Sequence, residues 1–277
     1  RQFCGGAHDP HALAAAAGGR LDQHGIADLR RLAREPRRIL IVAAVFGVFG
    51  MMSPLMAYFM PQMMQAIPGA EQFASLIPEP TINDALVQYV KNISQFGFLL
   101  AILIGIGDVA GEKERGTASM ILSKPLARWA FVCSKYLAQV LLYLFGLILS
   151  LAGSFLYTYV LFAPAEAGPL FKVLALASGL LFLWLLPFVT ITLLGSVLAN
   201  STSAAAGIAA GGAVLWMLLG SLPQLSGILP GALLTWANQL NLGQPLPAAN
   251  GGALAVSLAA GVAGLVTSIA FFENQEL

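Results

Sequence analysis

Apolar and polar positions along this chain fall into six long apolar runs divided by polar or proline-rich breaks. The runs lie at about 39–60, 93–111, 136–162, 171–198, 204–222 and 251–272. About 20 apolar residues, rising ~1.5 Å each in a helix, cross the ~30 Å hydrocarbon core of a bilayer, so each run predicts one spanning helix. The fourth is long enough to tilt and carries Pro187, where a kink is expected. The expected fold class is an all-α integral membrane protein with six transmembrane helices, forming one domain over 29–277.

Composition agrees with that pattern. The 277 residues are 58% hydrophobic and only 10% charged, with mean hydropathy +0.79, whereas soluble domains carry roughly 25% charged residues. The net charge of +1 says little, but its distribution is informative. Of fourteen Lys and Arg residues, twelve fall in residues 1–38 or in the 112–135 loop, and the others are Lys91 and Lys172. Cytoplasmic flanks carry the excess of basic residues. Both termini and the 112–135 loop are therefore expected in the cytoplasm, with 61–92, 164–169 and 223–250 outside.

Residues 1–28 hold all three histidines and no apolar run of spanning length. They predict a disordered tail, and the chain begins on Arg1 rather than Met, so this stretch is set aside from the fold. The first apolar run lies too far in and is too long for a secretory signal. Cys4, His8 and His11 lack a fourth partner at metal spacing, and Cys133 stands apart, so no metal site or disulfide framework is expected. Arg30, Arg31, Arg34, Arg37 and Arg38 then form a basic stretch with Leu29, Leu32 and Ala33 at helical spacing. It reads either as an interfacial helix lying on lipid headgroups or as an ordinary positive-inside flank.

The 111–135 loop carries the most specific pattern. Glu112-Lys-Glu114-Arg115 is strongly polar, Gly116 permits a turn, and Thr117 can cap a short helix whose apolar side is Met120, Ile121 and Leu122. Lys124 precedes Pro125, which ends that helix. A short helix held between two spans can dock on a soluble partner and pass rigid-body motion to the membrane helices. Charge alone describes a solvated loop; the ordered Gly-Thr, Ser-x-Pro and Arg positions set this one apart.

Those residues, Glu112-x-Glu114-x-Gly116-Thr117, Leu122-Ser123-x-Pro125, Arg128 and Lys135, resemble the segment between the second and third spans of type-2 ATP-binding-cassette (ABC) transporter permeases. The resemblance implies a coupling helix that contacts a cytosolic ABC ATPase through Glu112, Glu114, Arg115, Gly116, Thr117, Met120, Leu122, Ser123, Pro125 and Arg128. It also implies a permease homodimer or heterodimer in a prokaryotic plasma membrane, exporting an unidentified substrate. The basic stretch looks like the family's interfacial connecting helix, in contact with membrane lipid, and 223–250 looks like its external helical hairpin.

No Gly-x-x-x-x-Gly-Lys-Ser/Thr loop occurs, so ATP and Mg are expected in the partner, no cofactor in this chain, and the chain itself is not expected to be an enzyme. Nucleic acid is not an expected partner. Asp108, near the inner end of span two, reads either as a proton or ion site or as a side chain reaching the interface. Gly207 and Gly211 form a small-x-x-x-small pair, as do Gly251, Ala255 and Ala259, which permits close helix packing within or between chains. The rival classes are an ion-coupled carrier or channel, which would place charges or matched broken helices in the spans, and a membrane-embedded enzyme, which would need a catalytic constellation at membrane depth.

Overall fold

The computed structural model describes residues 36–66, 79–118, 127–244 and 251–275, and among these every regular element is a helix. In chain order they are α1 (Pro36–Gln65), α2 (Ile82–Gly105), α3 (Ala110–Glu114), α4 (Arg128–Phe162), α5 (Ala167–Leu198), α6 (Thr202–Ser221), α7 (Gly231–Asn241) and α8 (Gly252–Glu273). Six helical stretches are long and apolar enough to cross a membrane, with α2 and α3 counting as one. The chain is a multi-pass membrane protein.

Two spans reach further than hydropathy alone marks out. The second begins at Ile82 rather than near Ile93, because Thr81 and Asp84 form a reciprocal capping box that satisfies orphan amides at the helix start. The polar residues of its first turns are used: Gln88 donates to Asn92, and Asn92 donates to Ser53 on α1 at 3.0 Å. The third begins at Arg128 rather than near Tyr136, and its basic residues serve contacts described below.

α5 is the centre of the bundle. Leu174, Leu181, Leu185, Phe188, Leu193 and Val197 are buried along its length, and Pro187 sits inside one continuous helix. α2, α4, α6, α7 and α8 all pack on it, while α1 packs along α4 and α2. The α1–α4 contact is close enough to require glycine: a Cβ on Gly50 would lie 2.5 Å from the Ser150 carbonyl oxygen. The Gly207 and Gly211 pair is not used this way among the described residues, where a Cβ on either would meet nothing within 4 Å. α7 lies within the 223–250 segment and packs on α2, where the Asn241 amide donates to the Leu86 carbonyl at 2.8 Å.

Candidate functional site

The cationic side chains Arg38, Lys113, Arg128 and Lys135 gather at one end of the bundle, where α1, α4, α6 and α3 begin or end. The organising piece is the break between α2 and α3. The Ser196 hydroxyl on α5 donates to the Ile106 carbonyl at 2.8 Å and accepts from the amides of Val109 at 3.0 Å and Ala110 at 2.9 Å. One hydroxyl thereby satisfies groups left over where one helix stops and the next starts.

The charged run that follows is spent on neighbouring helix ends. Lys113 donates to the carbonyls of Val197, in the last turn of α5, and Ala199, its C-cap, and to the Gln275 side chain. A cation belongs there, because helix C-termini carry unsatisfied carbonyls and partial negative charge. Glu114 does the converse at the start of α6: its carboxylate accepts from the Thr202 amide at 3.0 Å and hydroxyl at 2.9 Å. Glu112 pairs with Lys135 on α4. Gly116 adopts φ +69°, the left-handed region that glycine enters at little cost, and the Thr117 hydroxyl donates back to the Glu112 carbonyl at 3.1 Å.

Below this lies a buried ion pair. Asp108 is 2% exposed and accepts from Arg38 on α1 and Gln139 on α4. Arg38, and Arg37 beside it, occupy the first turns of α1 itself. On the remaining side, Arg128 donates to the carbonyls of Glu273 at 3.0 Å and Gln275 at 2.7 Å. The Gln275 amide donates to Val197 at 3.0 Å, and Phe272 stacks on Phe131 with ring centroids 5.4 Å apart.

The arrangement gathers Glu112, Glu114, Gly116, Thr117 and Arg128 at one place. All but Gly116 hold their own chain there through side-chain bonds, leaving Arg115 exposed at the end of α3. Arg30, Arg31, Arg34, Met120, Leu122, Ser123 and Pro125, like Cys4, His8 and His11, lie outside the described residues. Sequence reading missed Arg38 as the partner of Asp108, gave Lys113 no role of its own within the polar run, and did not single out Ser196 or Gln275. The available signal was a lysine inside the Glu112-Lys-Glu114-Arg115 run that leads into Gly116, a residue that permits a sharp corner. Nothing in the sequence singles out Ser196 or Gln275.

Comparison with known proteins agrees with this architecture. Residues 27–276 match the model of a family described as ABC-2 family transporter protein. A curated relative, the "Uncharacterized transmembrane protein YxlG" of Bacillus subtilis (strain 168), is 26% identical over 162 residues, covering 57% of this chain and 60% of the relative. The aligned part thus spans somewhat under two thirds of that protein. With the family match running over nearly every residue from the first helix to the last, the chain belongs to the ABC-2 family of transporter proteins.

Proposed function

We propose that this chain is the membrane-spanning permease subunit of an ATP-driven exporter, and that a separate cytosolic ABC ATPase docks on the segment from Glu112 to Pro125. The observation that carries this reading is the anchoring of residues 106–116. They are bonded to α5, to the start of α6, to α4 and to the residues after α8. A docking surface held that firmly passes a partner's displacement to several spans together.

In this reading Glu112, Glu114 and Thr117 position the segment, while Arg115 and the apolar residues Met120 and Leu122 face the partner. ATP and Mg act in the partner, and the permease works as a homodimer or heterodimer. The basic end faces the cytoplasm, in keeping with the excess of Lys and Arg in its loops.

The test is co-purification in detergent with ABC ATPase subunits encoded in the chain's genome neighbourhood, comparing wild type with Glu112→Ala/Glu114→Ala/Gly116→Pro. A stable complex that the triple variant loses supports the reading. No complex with wild type, or equal binding by the variant, overturns it.

A further inference from the structure

The residues that follow α8 are folded back into the anchored segment. The Gln275 side chain bridges two elements: its Nε2 donates to the Val197 carbonyl of α5 at 3.0 Å, and its Oε1 accepts from Lys113 of α3. Its carbonyl, with that of Glu273, is held by Arg128 at the start of α4. One turn earlier, Phe272 is fully buried, stacks on Phe131 of α4, and lies under the Lys113 ammonium at 5.9 Å. Elsewhere α8 packs chiefly on α5 and α4, with a smaller contact to α7.

A primary amide suits this position. It can donate to one carbonyl and accept from an ammonium at the same time, which neither a carboxylate nor an amine can do. A carboxylate there would face the Val197 carbonyl with no proton to offer. A thioether of similar length would take one donor from the Val197 carbonyl, which keeps Lys113, and the Gln275 acceptor from the Lys113 ammonium.

We infer that Gln275 is a positioning residue that fastens α8 to the α3 segment, so that displacement of this segment is delivered to α8 as well as to α5 and α6. The inference rests on the reading of 106–118 as the part a partner moves. The bridge itself is tested without any partner. If Gln275 ties the two elements, loosening one end must loosen the other locally, and substituting both Lys113 and Gln275 must cost less than the sum of the two single substitutions, because they share one bond.

The experiment is hydrogen–deuterium exchange by mass spectrometry on the full chain in detergent, comparing wild type, Gln275→Met, Lys113→Met, their double variant and Asn274→Ala. Among the described residues the Asn274 side chain bonds to the Ala270 carbonyl of the helix it follows, and it serves as the control. Gln275→Met is expected to raise exchange about tenfold in 109–114 and in the last turn of α8, with other spans unchanged. Lys113→Met is expected to give a smaller rise at the end of α8, because Gln275 keeps its bond to the Val197 carbonyl, and the double variant is expected to rise by less than the sum of the two. Asn274→Ala leaves 109–114 at the wild-type rate.

Unchanged exchange in 109–114 on Gln275→Met overturns the inference, as do additive effects of the two substitutions at the end of α8. A rise spread evenly over all spans is the signature of general destabilisation and overturns it too. Failure of the ATPase reading shows separately, as loss of co-purification with wild type.

Discussion

Lys113 and Glu114, adjacent in sequence, complete two different helices: the ammonium binds carbonyls at the C-terminal end of α5 and the carboxylate binds the first amide of α6. The two helix ends meet across the short 199–201 turn, so consecutive residues of opposite charge match consecutive ends of opposite polarity. Exchanging the order, as Lys113→Glu/Glu114→Lys, keeps composition and net charge but puts like against like at both ends. The expected outcome is faster amide exchange in the first turn of α6 and the last turn of α5. Lys113→Gln/Glu114→Gln should show a smaller effect in the same peptides, because the amides retain hydrogen bonding.

Asp108 predicts a larger stability effect. It is buried and accepts from both Arg38 and Gln139, so removing its carboxylate takes a hydrogen-bond acceptor from each. Leaving a buried donor unsatisfied costs about 1–3 kcal/mol. Asp108→Ala should therefore lower the thermal midpoint in detergent, and Asp108→Asn, which keeps an acceptor for the Gln139 amide, should lower it less. Equal losses for the two would mean that the carboxylate charge, rather than the hydrogen bonding, is what this site requires.

The sequence made the spans legible and left their mutual fastening hidden, for a physical reason. Crossing a bilayer demands length and apolarity, which are properties of a contiguous stretch such as 171–198 and can be read locally. Helix ends are less visible: the capping box at Thr81 and Asp84 extends α2 by about three turns into residues that look like loop, because polar Gln88 and Asn92 are bonded inside the bundle. Pair choice is invisible, since Lys113 meets Gln275 across 162 positions and Asp108 meets Arg38 across 70. The Glu-Lys-Glu run announced a special loop; that its charges face inward toward helix ends emerges only once α5, α6 and the residues after α8 are brought together.

Gly116 carries a conformational prediction. At φ +69° a Cβ is disfavoured by about 1 kcal/mol, and asparagine tolerates this region better than alanine does. Among the described residues a Cβ there would meet no atom within 4 Å, so the expected cost is one of backbone conformation. Gly116→Ala should weaken co-purification of the ATPase several-fold at limiting concentration, and Gly116→Asn should weaken it less. Equal losses for the two would point to steric contact with the partner as the cause.

Gly50 makes the opposite kind of demand. Its φ is ordinary helix, but a Cβ would fall 2.5 Å from the Ser150 carbonyl oxygen, 2.7 Å from its hydroxyl and 2.8 Å from its Cα. Two of these three atoms are backbone, so no rotamer change relieves the clash, and α1 must move away from α4. Helix association in membranes depends on such close approach, because the apolar surface gains nothing by leaving lipid for protein. Gly50→Ala should lower the thermal midpoint in detergent, and Gly50→Leu should prevent recovery of monodisperse protein. Shortening the facing side chain distinguishes the cause: Gly50→Ala/Ser150→Ala should be no more stable than Gly50→Ala alone. A substantial rescue by Ser150→Ala would show that the hydroxyl, rather than the α4 backbone, sets the approach of the two helices.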